Sequence, residues 1–185
     1  PELFRLEALR WFHTFSAGVD APAFAVLAEQ DTIVTNSPGA SAPSIAQHVL
    51  GMMLSASKHF AEFREQQSRR EWKQLPGSDL SGKTCGIIGT GQIGGEVARL
   101  AKACGMTTLG IRRSGKPARH VDEMLPPSRL RTLLRRSDFV VIACPLTRET
   151  ECMIGAPELA AMPPHAVLIN VARGRIVDEA ELIAA

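Results

Sequence analysis

Three glycines at fixed spacing form the pattern in this chain that most directly predicts chemistry. Gly89, Gly91 and Gly94 make up the sequence Gly-x-Gly-x-x-Gly. In such a turn the first glycine permits a tight bend, the second lets backbone approach a pyrophosphate, and the third lets a helix pack closely on a strand. A helix that starts here also offers unpaired N–H groups and the positive end of its dipole. The spacing therefore predicts a phosphate-binding turn.

The sequence around the glycines supplies the elements that such a turn requires. Residues 84–90 have the pattern of a buried strand, residues 92–104 repeat apolar side chains at helical spacing, and residues 107–112 have the pattern of a second strand. A strand, glycine turn, helix and strand in this order are typical of dinucleotide binding. The alternative is an α/β turn of the same shape that binds nothing.

The end of the second strand carries the positions that distinguish NAD from NADP. An NAD site usually has Asp or Glu there, about 20 residues after the glycines, to bind the ribose 2′-hydroxyl. This chain instead has Arg112, Arg113 and Ser114. Because Arg forms bidentate charged hydrogen bonds with phosphate, the set favours NADP, which carries a 2′-phosphate, over NAD. A solvated basic turn is the alternative interpretation.

Arg173 is a second candidate for chemistry, since it follows a predicted strand and precedes Gly174. Ligands of open parallel sheets bind outside the carboxyl ends of the strands. A guanidinium at that edge is suited to hold the carboxylate of a 2-oxo acid and to polarise the carbonyl that accepts hydride. The alternative is a surface arginine at the end of a strand.

The elements that position these residues alternate between strand and helix from residue 84 onward. This alternation predicts an α/β fold with a doubly wound parallel sheet, the Rossmann-like arrangement. Two of the strands are continuously apolar, which is typical of a sheet covered on both faces. The predicted strands cover residues 84–90, 107–112, 138–144 and 166–172, and the predicted helices cover residues 92–104, 127–136, 156–162 and 178–185.

The region before the glycine motif predicts a short strand–helix–strand unit over residues 10–35. We therefore divide the chain into residues 1–36, the C-terminal part of a smaller substrate domain, and residues 37–185, a dinucleotide-binding domain truncated at its C-terminus. Ser41 is a candidate N-cap for a helix over residues 44–59. That helix is apolar almost all round, which predicts burial on several sides and packed histidines within it.

Composition limits the classes of protein to consider. The chain has 185 residues, of which 45% are hydrophobic and 22% charged, and a net charge of +2, as in ordinary globular proteins. This balance predicts no partnership with nucleic acid or membrane. The four cysteines lack metal-ligand spacing, so we predict no metal site and buried, reduced thiols in a cytoplasmic protein. The absent initiator Met and the helical pattern at the last residues predict a piece of a longer protein.

Several separate motifs in the chain resemble the D-isomer-specific 2-hydroxyacid dehydrogenases. The matching segments are the glycine motif and residues 16–20, 36–39, 45–47, 80–84, 144–150, 168–174 and 177–179. The resemblance implies a flavodoxin-like substrate domain, a homodimer, and D-stereospecific hydride transfer between NADP(H) and a small 2-oxo or 2-hydroxy acid. Arg112 replaces the family's common Asp, which points towards NADP-using glyoxylate and hydroxypyruvate reductase-like members. Gln47 stands where many members have an acidic residue.

The resemblance also implies roles for individual residues. Backbone N–H groups of Ala17, Gly18 and Val19 would bind the substrate carboxylate, and Arg173 would be catalytic. Six further positions match cofactor-contacting residues, namely Gln92, Ile93, Cys144, Pro145, Val171 and Ala172. The family's Glu and its histidine acid/base follow the residue like Arg173, in sequence that this chain lacks, so we expect this chain to be catalytically inactive. The alternative is a dinucleotide-sensing binding module without turnover.

Overall fold

The computed structural model describes residues 8–16, 18 and 22–185, which form two parallel sheets. The smaller sheet pairs β1 (Trp11–Thr14) with β2 (Ile33–Asn36), and α1 (Pro22–Ala28) lies between them in sequence. This order confirms the predicted strand–helix–strand unit. The edge of the small sheet leaves Trp11 and Ile33 largely exposed.

The larger sheet has five parallel strands. These are β3 (Thr84–Ile88), β4 (Thr107–Ile111), β5 (Glu123–Leu125), β6 (Phe139–Ile142) and β7 (Val167–Asn170). Their spatial order is β5-β4-β3-β6-β7, so the direction of winding reverses between β3 and β6. This is the doubly wound arrangement that the sequence predicts, and ligands bind at such a reversal point. The glycine motif directly follows β3.

Six further α-helices follow α1 among the described residues. They are α2 (Ala42–Ser57), α3 (Phe60–Arg69), α4 (Gln92–Ala103), α5 (Leu130–Arg135), α6 (Ala156–Leu159) and α7 (Glu179–Ala184). The predicted helix over residues 127–136 divides into a 3-10 turn (Pro127–Arg129) and α5. The break lies at Arg129, whose φ of −100° and ψ of 23° depart from α-helical values.

Two apolar clusters cover the larger sheet, one on each face. Along β6, Val141 joins the cluster beneath α2 and α4, whereas Val140 and Ile142 join the cluster beneath α5. This alternation with both faces buried confirms the interpretation of the continuously apolar strands. The sheet is therefore a closely packed platform for the loops at its carboxyl edge.

Helix α2 differs from the sequence prediction. Only one face is buried, along Ala46, Val49 and Met53, whereas Met52 is 42% exposed. The prediction of burial on several sides is therefore wrong, since apolar composition does not determine which faces neighbouring elements cover. His48 is exposed rather than packed. Ser41 holds the N-cap position, but its side chain makes no capping hydrogen bond.

The cysteines also differ from the prediction of buried thiols. Cys85 is fully buried, and burial raises the pKa of its thiol to about 12. Cys152 is exposed, and Cys104 and Cys144 are only partly buried.

Over the residues that the structure describes, no helix has the length and apolar character needed to cross a bilayer. Within the same residues, no three His, Cys, Asp or Glu side chains gather as metal ligands would.

Candidate functional site

The three motif glycines each meet a different geometric need. Gly89 has φ of +97°, and a Cβ there would lie 2.6 Å from the backbone N of Cys144. A Cβ on Gly94 would lie 2.0 Å from the carbonyl O of Gly89, so only glycine lets α4 pack this close to β3. At Gly91, apart from its two neighbours in the chain, no atom of the described residues lies within 4 Å of the Cβ position. The space in front of Gly91 is open to a ligand.

The start of α4 faces that open space. Gly91 is the N-cap residue, so the N–H groups of Gln92 and Ile93 have no partner inside the helix. The positive end of the helix dipole adds to their attraction for an anion. In the same turn, Thr90 is 5% exposed, and its buried Oγ1 has no hydrogen-bond partner among the described residues. Open space, free donors and an orphaned hydroxyl fit a bound pyrophosphate.

A cleft of about 440 Å³ opens beside this turn, and we call it the Arg173 cleft. Loops that follow β2, β3, β6 and β7 contribute to it. It is lined by Gly18, Pro38, Gly39, Gln92, Ile93, Ala143, Cys144, Pro145, Leu146, Val171, Ala172 and Arg173. Eight residues singled out from the sequence thus meet in one place. Ala17 and Val19 lie outside the described residues.

Asn170, which the sequence analysis did not single out, organises the turn that carries Arg173. Its side-chain Nδ2 donates to the carbonyl O of Arg173 at 2.8 Å, and its Oδ1 accepts from the N–H of Ala172 at 3.0 Å. The guanidinium of Arg173 donates to the carbonyl O of Ala172 at 2.9 Å. Asn favours such local side-chain bonds at turns, and this tendency was the available signal.

A second wall of the Arg173 cleft comes from the loop after β6. Thr150 Oγ1 accepts from the N–H of Thr147 at 2.7 Å and donates to the carbonyl O of Pro145 at 2.8 Å, which closes the loop. Burial raises the pKa of the Cys144 thiol. A raised pKa favours the neutral thiol, and Cys144 lines the cleft as a small, partly buried side chain.

A second cleft, of about 380 Å³, lies between the start of α4 and the chain after β4, and we call it the Arg112 cleft. It is lined by Thr90, Gly91, Gln92, Gly95, Glu96, Arg99, Arg112, Pro117, Ala118, Arg119 and His120. Arg112 is half-buried here, as expected for a residue that binds the adenosine end of a dinucleotide.

Arg113 and Ser114 do not line the Arg112 cleft. The N–H of Gly115 donates to the carbonyl O of Arg112 at 3.1 Å, so these two residues are the centre of a tight turn and are exposed. A hydrogen bond from Thr147 and the nearby charge of Arg113 both lower the pKa of Glu149. The structure therefore brings Arg112 to the glycine turn and turns Arg113 towards the loop after β6.

Within the described residues, no histidine lines the Arg173 cleft. His165 Nε2 lies 2.8 Å from Asp138 Oδ1, at the amino edge of the sheet, opposite to the glycine turn. His13 bonds to Thr35 Oγ1 at 2.8 Å and to Ser37 Oγ at 3.0 Å in the small sheet.

The sheet order, the glycine turn at a helix start and the clefts at the carboxyl edge together define a dinucleotide-binding α/β fold. The family model described as "D-isomer specific 2-hydroxyacid dehydrogenase, NAD binding domain" matches residues 50–185. The chain belongs to the D-isomer specific 2-hydroxyacid dehydrogenase family, which confirms the resemblance seen in its motifs.

Individual relatives agree with this membership. The chain is 37% identical over 186 residues to a glyoxylate reductase of Thermococcus gammatolerans, covering 96% of this chain and 56% of that protein. A family protein from Aeromonas salmonicida superposes with a TM-score of 0.86 at 34% identity, covering 95% of this chain and 56% of that one. A family member from Xanthobacter autotrophicus Py2, solved in complex with NADPH and MES, gives a TM-score of 0.82 at 32% identity, covering 96% of this chain and 56% of that one. The chain spans about half the length of the curated relatives it matches.

Proposed function

We propose that the protein containing this chain is an oxidoreductase that transfers hydride between NADP(H) and a small 2-oxo or 2-hydroxy acid of the glyoxylate or hydroxypyruvate type, with D stereospecificity. The observation that carries this proposal is the Arg173 cleft. Arg173 lines this cleft together with Gln92 and Ile93 of the helix start that follows Gly91, which supports a dinucleotide and a substrate bound side by side. The similarity to a glyoxylate reductase supports the substrate class.

Several residues in and around the cleft have roles in this proposal. Arg173 binds the substrate carboxylate and polarises its carbonyl, and the N–H of Gly18, with those of Ala17 and Val19, binds the same carboxylate. Asn170 fixes the turn that aims Arg173. The bound dinucleotide supplies the hydride at its nicotinamide ring. Cys144, Pro145, Val171 and Ala172 form largely apolar walls against which the cofactor would pack.

NADP is the proposed cofactor because Arg112 lies in the cleft next to the glycine turn. One charge-assisted hydrogen bond contributes about 1.5–3 kcal/mol, which predicts at least about tenfold tighter binding of NADPH than of NADH. Fluorescence titration of the purified chain with both cofactors measures this ratio. Equal affinities would contradict the preference, and Arg112→Asp should narrow or reverse it.

The proton donor is the second point to test. Because no histidine of the described residues lines the Arg173 cleft, we expect this chain to bind NADPH without oxidising it when glyoxylate or hydroxypyruvate is added. Turnover by a longer gene product containing residues 1–185 supports the enzyme. Binding without turnover in that product favours the alternative, a dinucleotide-sensing module.

The proposal has three further parts: a division of the chain into two domains at residue 36, a homodimer, and a cytoplasmic location.

A further inference from the structure

Besides Arg112, the Arg112 cleft is lined by Arg119, which is not adjacent to Arg112 in the sequence. The lining contains four basic side chains, Arg99, Arg112, Arg119 and His120, and one acid, Glu96. Arg99 and Glu96 form an ion pair at 2.9 Å, so their charges offset each other. In the part of the chain that the structure describes, neither Arg112 nor Arg119 lies in an ion pair. Two unpaired guanidiniums therefore flank the glycine turn.

The segment that carries Arg119 is anchored to the sheet. The N–H of Val121 donates to the carbonyl O of Ala118 at 3.3 Å, which makes Arg119 and His120 the centre of a turn. His120 has φ of +64°, the conformation that a type II turn requires at its second central position. Thr108 Oγ1, buried in β4, donates to the carbonyl O of His120 at 2.8 Å.

A second pair of bonds holds the same segment. The N–H of Asp122 donates to the carbonyl O of Thr108 at 3.0 Å, and the carboxylate of Asp122 accepts from the N–H of Thr108 at 2.9 Å. Lys102 of α4 forms an ion pair with the other oxygen of that carboxylate. The backbone at Arg119 is thus fixed on both the β4 side and the α4 side. A fixed backbone lowers the entropy lost when its side chain binds a ligand.

We infer that Arg119, and not Arg113, is the second arginine that selects the 2′-phosphate of NADP. This inference rests on the proposed NADP preference and adds a specificity-determining residue to it. A 2′-phosphate carries a charge of about −1.5 to −2 at neutral pH, which two guanidiniums match. Both Arg113 and Arg119 are exposed, but only Arg119 lines the Arg112 cleft; the charge of Arg113 lowers the pKa of Glu149 instead.

Adenosine 2′,5′-bisphosphate and 5′-AMP, which differ by the 2′-phosphate alone, isolate this subsite. Calorimetry on the purified chain measures both affinities for the wild type and for Arg112→Gln, Arg119→Gln, Arg119→Lys and the matched control Arg113→Gln. We expect Arg112→Gln and Arg119→Gln each to weaken binding of the bisphosphate about tenfold or more, with 5′-AMP changed less than about twofold. Arg119→Lys should retain part of the affinity, and Arg113→Gln should change neither ligand.

The outcomes separate this inference from the function on which it rests. If the wild type binds neither nucleotide, the dinucleotide site itself is wrong. If it binds both equally, the NADP preference is wrong. Either result also overturns the role of Arg119. A third outcome overturns only the assignment to Arg119. In it, the wild type prefers the bisphosphate over 5′-AMP, but Arg119→Gln keeps the same preference, or Arg113→Gln weakens bisphosphate binding more than Arg119→Gln does. Circular dichroism of each variant verifies that the fold is retained.

Discussion

Replacing Gly91 by valine separates the binding role of the glycine turn from its structural role. Gly91 has φ of −83° and ψ of −148°, just outside the extended region that L residues prefer. Apart from its two neighbours in the chain, no atom of the described residues lies within 4 Å of the Cβ position. We therefore expect valine to lower the free energy of unfolding only modestly, by about 1 kcal/mol of backbone strain and without a steric clash. The valine side chain would occupy the space where the pyrophosphate approaches the N–H groups of Gln92 and Ile93.

The expected loss of affinity follows from those two donors. Each charge-assisted hydrogen bond contributes about 1.5–3 kcal/mol, so losing both weakens NADPH binding by about 3–6 kcal/mol. Since about 1.4 kcal/mol corresponds to a factor of ten, Kd should rise more than about a hundredfold. Calorimetry with NADPH measures Kd, and thermal unfolding followed by circular dichroism should show a melting temperature within about 4 °C of the wild type.

Two other glycine substitutions make the comparison decisive. Gly51→Val in α2 also meets nothing within 4 Å, and it lines neither cleft, so it should preserve both binding and stability. Gly94→Ala would place its methyl group 2.0 Å from the carbonyl O of Gly89, so it should lower both the affinity for NADPH and the stability of the fold. Undiminished NADPH binding by Gly91→Val would show that the turn does not face the phosphates and would refute the reasoning.

Two further predictions concern ionisable groups outside the clefts. Burial alone would raise the pKa of Asp138, but hydrogen bonds from Thr84 and His165 and the charge of Lys83 outweigh it and lower that pKa. A carboxyl group whose pKa is lowered by folding stabilises the fold at pH values above its unfolded-state pKa near 4, and this stabilisation is lost as the pH falls through the folded-state pKa. Asp138→Asn should therefore lower the melting temperature clearly at pH 7 and much less at pH 3. Equal decreases in melting temperature at the two pH values would contradict this. Iodoacetamide followed by mass spectrometry should label exposed Cys152 first and buried Cys85 only on unfolding, and early labelling of Cys85 would contradict its burial.

The sequence predicted the large sheet well because its strands and glycine turn have strong local signals. It missed β5, since Glu123–Leu125 is too short to show an alternating pattern. It also overestimated the burial of α2, because hydrophobicity along a helix does not reveal how much of it other elements cover.

Some residues of the candidate site could be predicted from the sequence and others could not, for the same reason. Motif residues such as Cys144 and Val171 reach the Arg173 cleft because each follows a parallel strand at the same edge of the sheet. Arg113 and Arg119 could not be ranked from sequence. Their placement depends on two successive turns, and the second turn brings back to the cleft a residue seven positions after Arg112.

The contact between Gly89 and the loop after β6 has a consequence for how a long ligand is accommodated. The absent side chain at Gly89 lets the backbone of the glycine turn press against Ala143 and Cys144. Because adjacent strands β3 and β6 carry these loops, the distance between the Arg112 and Arg173 clefts is set by backbone packing. The spacing of the two clefts is thus fixed before any ligand binds, so a ligand that bridged them would lose little binding free energy to ordering the protein.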